Sequence, residues 1–66
     1  MEIKRAKYNL LRPVRYEGNE YIFHECVLWA AQDASGARQL RYSAILQDKA
    51  ASSIMRVPLE AVEEME

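Results

Sequence analysis

The sequence predicts a mainly β domain, a small antiparallel barrel of four to five strands that ends in a short C-terminal helix or 3₁₀ turn. Residues 39–47 alternate between apolar and polar side chains, as expected for a strand with one buried face. Glu17-Gly18-Asn19-Glu20 separates two runs of strand-forming residues, which is typical of a hairpin. After Pro58 the apolar residues recur at every third position, which indicates a helical turn.

The predicted strands follow one another along the chain. Residues 14–16 form the first strand and residues 21–30 a long second strand, which ends in an Asp-, Ser- and Gly-containing loop at residues 32–36. The third strand covers residues 39–47 and the short fourth strand residues 54–57. Alternation along these strands and the final turn predicts a core made of Val14, Tyr16, Ile22, Cys26, Leu28, Leu40, Ala44, Leu46, Val57, Leu59 and Val62.

The second strand carries large apolar residues on both of its sides. Simple alternation places Tyr21, Phe23 and Trp29 on one side and Cys26 and Leu28 on the other. A β-bulge near Glu25 would turn Trp29 inward, and without a bulge the outer side needs a partner to cover it. Both solutions remain open from the sequence.

Length and composition predict one domain over residues 1–66, with a basic N-terminal arm at residues 1–9 and a barrel-like core at residues 10–64. Cys26 is the single cysteine, which excludes an internal disulfide and predicts a reducing, cytoplasmic compartment. No apolar run approaches the roughly 20 residues of a membrane span, so no membrane association is expected.

The end of the chain carries a resemblance to a known architecture. The segment Met55-Arg56-Val57-Pro58-Leu59-Glu60-Ala61-Val62-Glu63 resembles the strand, proline, single turn and closing Val-Glu of SH3-like small barrels, and the resemblance extends over residues 10–64. It implies a shape similar to Tudor-like, KOW-like and phage or mobile-element accessory domains. It implies no peptide-binding residues, because the Ala-Leu-Tyr-Asp-Tyr opening and paired tryptophans of signalling SH3 domains are missing from this sequence.

The sequence offers no assembled set of catalytic or metal-binding residues. His24, Glu25 and Cys26 form the cluster that combines metal-ligand types, but a structural zinc site needs four ligands and the sequence has no second histidine or cysteine. Gly18 and Gly36 are the only glycines, which excludes a glycine-rich phosphate loop. We therefore expect no enzyme activity, no metal and no cofactor.

Two functions remain. The first is a non-catalytic interaction or adaptor module of bacterial, phage or mobile-element origin, whose partner is an unidentified protein or a second copy in a weak homodimer. Its candidate partner-binding residues are Tyr21, Trp29 and Arg41, whereas Phe23 is expected in the core. The second is a nucleic-acid-binding accessory domain that uses Lys4, Arg5, Lys7, Arg12 and Arg15.

The charge distribution bears on the second function. The basic residues lie near the start of the chain, and the acidic residues Glu60, Glu63, Glu64 and Glu66 lie at its end. The two ends could attract each other across a compact fold, or the basic end could meet a polyanion. The sequence pI of about 5.8 is far below that of typical basic nucleic-acid-binding domains, which favours the first function.

Overall fold

The computed structural model describes residues 1–65, which form one antiparallel sheet with a short helix before it. The helix α1 is Ile3–Asn9, and a 3₁₀ turn at Leu59–Ala61 separates the last two strands. The strands are β1 at Pro13–Tyr16, β2 at Asn19–Gln32, β3 at Arg38–Gln47, β4 at Ile54–Pro58 and β5 at Glu63–Glu64. The predicted mainly β class, the long second strand and the terminal turn are therefore confirmed.

The five strands form a sheet in the order β4-β3-β2-β1-β5. Each neighbouring pair is antiparallel. Strands β4 and β5 lie at opposite edges, and the sheet does not close into the barrel that the sequence predicts. Closure would need these two edges to pair, and β5 is only two residues long, so it offers a very short edge to β4.

The predicted first hairpin is present, and its loop is shorter than the four residues that separate the predicted strands. Tyr16 pairs with Asn19, so Glu17 and Gly18 alone form the turn, with φ angles of 48° and 80°. Positive φ at both positions matches the right-handed twist of the flanking strands. Gly18 adopts this conformation without the steric cost that a β-carbon would add.

A β-bulge at His24 divides β2 into two parts with opposite side-chain phase. Phe23 pairs with Leu46 and Glu25 pairs with Ile45, so His24 is an extra residue without a partner position. The bulge therefore places Phe23 on the same face as Cys26 and Leu28, whereas simple alternation separates them. Of the two solutions left open by the sequence, the structure contains the bulge. The bulge turns Tyr21 and Phe23 towards the core and leaves Trp29 on the opposite face, so the predicted inward turn of Trp29 is wrong.

The core lies between one face of the sheet and the segments that cover it, α1 and the 3₁₀ turn. Its fully buried members include Phe23 and Leu46 on the paired strands β2 and β3. Ala6 of α1 and Leu59 of the 3₁₀ turn pack into the same cluster, which also contains Val14, Ala44, Val57 and Val62. Residues 1–9, described above as a basic arm, thus contribute a helix to the fold.

Several predicted core positions are not buried. Leu28 and Leu40 are 55% and 72% exposed, so their assignment to the core is wrong. Tyr16, Ile22 and Cys26 are only partly buried. Ile22 precedes Phe23 on the strand and faces the opposite side of the sheet, which corrects its predicted grouping with Cys26.

The exposed leucines lie on a two-stranded extension of the sheet. Residues 28–32 of β2 pair with residues 38–42 of β3, and neither segment has a second strand beside it within the described part of the chain. We call this extension the distal ribbon. It projects beyond the segments that cover the core and helps to give the domain its longest dimension of 40 Å.

Candidate functional site

Trp29 lies on the distal ribbon, on the face of the sheet opposite the core. Its indole Nε1 donates a hydrogen bond of 2.7 Å to the Ser43 hydroxyl on β3. The guanidinium of Arg56 on β4 lies 5.3 Å from the centre of the indole ring, at cation–π distance. The residue remains 38% exposed, so its indole is held in place and still open to a partner.

Arg41 is the direct cross-strand neighbour of Trp29. Its Nη2 donates a hydrogen bond of 2.9 Å to Gln39 Oε1, and the side chain is exposed. In the ion pairs formed within residues 1–65, Arg41 and Arg56 have no carboxylate partner. The face around Trp29 is therefore both aromatic and positively charged.

Tyr21 does not join Trp29 and Arg41. The bulge reverses the phase of β2, so Tyr21 lies on the core face, opposite Val14 of β1. It packs against the core cluster, and its ring centre lies 6.4 Å from that of Tyr16. Of the two aromatic residues predicted to bind a partner, Tyr21 and Trp29, only Trp29 belongs to the exposed site.

A groove of about 280 Å³ lies at the edge of β3, where β4 ends at Pro58 and β3 continues. Leu40 and Tyr42 line it from the core face of the sheet, and Trp29 and Arg41 line it from the opposite face. Pro58, Leu59, Glu60, Ser43 and Met1 complete its walls. The groove thus occupies the position that a longer β4 would fill, and we call it the β3 groove.

The sequence contained one signal for the β3 groove that the motif analysis did not use. The predicted third strand is about twice as long as the predicted fourth, so part of its edge has no partner. Alternation alone could not show that Leu40 and Tyr42 lie at this uncovered edge. It indicates which face of the sheet a side chain lies on, but not how far α1 and the 3₁₀ turn cover that face.

The basic residues at the start of the chain do not form one cluster of free cations. Lys4 lies 3.4 Å from a carboxylate oxygen of Glu2, and Arg5 lies 2.9 Å from Glu64 Oε1. The ammonium of Lys7 lies 5.0 Å from the centre of the Tyr8 ring. Arg12 and Arg15 are exposed, and Arg15 is the cross-strand neighbour of Glu63. Glu66 lies outside the described residues.

Glu64 joins the two ends of the described chain. Its Oε1 accepts hydrogen bonds from Asn9 Nδ2 at 2.7 Å and from Arg5 Nε at 2.9 Å. The Asn9 amide, with the Arg5 guanidinium next in effect, lowers the pKa of the Glu64 carboxyl below its ordinary value of 4.5. Because the carboxyl pKa is lower in the folded state, ionised Glu64 stabilises the fold at any pH above the pKa of the unfolded state. This stability is lost as the pH falls through the pKa of the folded state.

We therefore expect Glu64→Gln to weaken the acid sensitivity of folding. The free energy of unfolding of the wild type should exceed that of the variant at neutral pH, and the difference should shrink as the pH falls below 4.5. Urea unfolding followed by circular dichroism across this range measures the difference. Glu60→Gln is the matched control, because the Glu60 side chain makes no hydrogen bond within the described residues. An equal pH dependence in all three proteins would contradict the prediction.

His24 and Cys26 lie on either side of the β-bulge. His24 Nδ1 lies 3.2 Å from Glu25 Oε1, outside hydrogen-bond geometry. Cys26 is half-buried against the core cluster, and this burial raises the pKa of its thiol, which disfavours the reactive thiolate. Within residues 1–65, His, Cys, Asp and Glu side chains do not gather into groups of three or more that could hold a metal ion.

Two aspartates organise loops. Asp33 accepts hydrogen bonds from the hydroxyl and backbone N–H of Ser35, and Asp48 from those of Ser52. The side-chain bonds from these serines are the main cause of the lowered pKa of each carboxyl. Both carboxylates are thus held by their own turns.

Comparisons with protein families, with curated proteins and with solved structures find no match for this chain. No helix in the described part of the chain is long and apolar enough to cross a membrane.

Proposed function

We propose that this chain is a non-catalytic interaction module that binds an extended segment of a partner protein in the β3 groove. The observation that carries the proposal is the open edge of β3 at residues 38–42, which lies beside the β3 groove at the point where β4 ends. An unpaired strand edge offers backbone N–H and C=O groups to an incoming strand. A partner segment can therefore continue the sheet in line with β4.

The side chains around the β3 groove define what the partner segment should contain. Successive side chains of an added strand point to opposite faces. One set would meet Leu40, Tyr42 and Leu59 and should be apolar, and the other would meet Trp29 and Arg41. Because Arg41 and Arg56 have no carboxylate partner in the ion pairs of residues 1–65, the second set should be acidic.

We also propose that the open sheet is a variant of the SH3-like architecture and that the protein works in the reducing cytoplasm. The first proposal is supported by the element order, in which a hairpin with a long bulged second strand precedes a short strand, a 3₁₀ turn and a final strand beside β1. The second is supported by the single cysteine and its half-buried, weakly acidic thiol.

Selection from a library of random linear peptides, followed by calorimetric titration of the selected peptides, tests the peptide-binding proposal. We expect peptides in which acidic and apolar residues alternate. Arg41→Ala should weaken their binding about tenfold, since a charge-assisted hydrogen bond contributes about 1.5–3 kcal/mol and about 1.4 kcal/mol is a factor of ten. Trp29→Ala should weaken it by a similar factor.

Arg15→Ala is the matched control, because Arg15 is an exposed arginine on β1, away from the β3 groove. Amide NMR shifts on peptide addition should concentrate at residues 38–42. Selected peptides without acidic residues, or shifts confined to another surface, would overturn the proposal. The nucleic-acid function would be supported instead if the protein bound no peptide but bound an oligonucleotide, and if replacing Lys7, Arg12 and Arg15 weakened that binding.

A further inference from the structure

The outer edge of β2 is unpaired beyond the bulge. The backbone of Phe23 still bonds to Leu11 and Arg12, but residues 25–32 have a strand neighbour only on the β3 side within the described chain. Residues 26–32 read Cys-Val-Leu-Trp-Ala-Ala-Gln, without a charge, a proline or a glycine. A long, uncharged and apolar strand edge readily pairs with another strand.

The other strand edges of the sheet carry features that discourage pairing with a second copy of this chain. The open part of β3 contains Arg38 and Arg41, and β4 contains Arg56 and ends at Pro58. Strand β5 is only two residues long, and both are glutamates. Edge charges, prolines and short edge strands are the usual means by which proteins block edge-to-edge contact. The edge of β2 at residues 26–32 lacks these features and is therefore suited to a partner strand.

From this contrast we infer that two copies of the chain form a dimer by pairing their β2 edges at residues 25–32, antiparallel and about a two-fold axis. The occupant is a second copy because the uncharged run meets itself without placing like charges together. This interface lies along the β2 edge of the distal ribbon, whereas the β3 groove lies along its β3 edge, so the inference goes beyond the proposed function; Trp29 is the residue that the two sites share. In the dimer the two sheets join into one continuous sheet.

Charge and size decide between the registers centred on Trp29 and on Leu28. A two-fold axis between antiparallel strands makes one residue face its own copy. If that residue is Trp29, Glu25 directly opposes Asp33 of the other copy, and two carboxylates meet. If it is Leu28, Glu25 opposes Ala31, Val27 opposes Trp29 and Cys26 opposes Ala30. The register centred on Leu28 avoids the repulsion and lets the two half-exposed Leu28 side chains cover each other.

Disulfide cross-linking tests this register. Directly opposite residues in an antiparallel pair have Cα atoms about 4.5–5.5 Å apart, within the range of about 4.4–6.8 Å that a disulfide spans. In a Cys26→Ala background, Leu28→Cys should give a covalent dimer under mild oxidation. In the same background, Ala30→Cys is the matched control and should remain largely monomeric on a denaturing gel.

Restoring Cys26 in the Ala30→Cys protein supplies a second expected result. Each introduced thiol then faces Cys26 of the other copy, and the dimer should become cross-linked. Equal cross-linking of Leu28→Cys and Ala30→Cys in the Cys26→Ala background would overturn the register. The dimer would be overturned if neither variant became cross-linked and sedimentation velocity showed only monomer at every concentration.

Leu28→Lys tests the same interface without disulfide cross-linking. It places two ammonium groups against each other at the two-fold axis and should shift the sedimentation of the protein from dimer to monomer, while circular dichroism stays unchanged because Leu28 is exposed. The variant should still bind the selected acidic peptides at the β3 groove. Absence of peptide binding in a dimeric wild-type protein would count against the proposed function alone, and a Leu28→Lys protein that remains dimeric would refute the proposed dimer interface.

Discussion

Leu46→Ala is expected to lower the free energy of unfolding by about 2–5 kcal/mol, because it removes a fully buried side chain and leaves a cavity between β2, β3 and β4. Domains of this size rarely have more than about 3–5 kcal/mol of stability from their core. The variant should thus be largely unfolded at room temperature. Leu46→Met, which nearly conserves volume, should lose less than about 1.5 kcal/mol.

Leu40→Ala is the matched control for Leu46→Ala. Leu40 lies on the same strand and the same face as Leu46 but is 72% exposed, and we expect a change within about 0.5 kcal/mol. Urea unfolding followed by circular dichroism measures both variants. Similar losses at the two positions would show that the distal ribbon is covered in solution, and a stable Leu46→Ala protein would contradict the core described here.

The difference between Leu40 and Leu46 shows how far alternation can predict a core. The pattern of residues 39–47 correctly places both leucines on one face of β3. It does not show where the covering layer ends, because α1 and the 3₁₀ turn reach that face from distant parts of the sequence. Leu28, the cross-strand neighbour of Tyr42, was assigned to the core for the same reason.

Helix α1 could not be predicted from its own residues. It is seven residues long, its N-cap residue Glu2 makes no side-chain cap hydrogen bond, and its first turn has no acidic residue. A helix this short is not stable by itself. It is held by tertiary contacts, in which Ala6 enters the core, Asn9 and Arg5 bind Glu64, and the backbone nitrogen of Met1 donates to the carbonyl groups of Leu59 and Val62.

The first hairpin and the terminal turn were predictable because their signals are local. Glu17-Gly18 supplies the positive φ angles that a two-residue loop needs, and Pro58 precedes the 3₁₀ turn. The candidate site was predictable only in part. Trp29 and Arg41 emerge as neighbours. Large apolar residues on both sides of β2 indicate a bulge near Glu25 as one of two solutions, but they do not show that it separates Tyr21 from Trp29.

Phe23→Ala is expected to be as damaging as any single substitution in this chain, with a loss of about 3–5 kcal/mol. Phe23 is the largest of the fully buried side chains and packs opposite Leu46. In a regular strand Phe23 and Trp29 would share one face and respond alike to truncation. The bulge at His24 places them on opposite faces, so their responses should differ.

Trp29→Ala is the matched aromatic truncation for Phe23→Ala. It removes one hydrogen bond to Ser43 and the stacking with Arg56 from a partly exposed position, and should cost about 1–2 kcal/mol. Because Trp29→Ala removes the only tryptophan, both variants should be followed by circular dichroism in urea. Phe23→Ala should lose most of its folded signal while Trp29→Ala unfolds cooperatively. Equal losses would mean that both rings lie on one face, and the bulge, the exposed indole and the β3 groove built on it would then have to be abandoned.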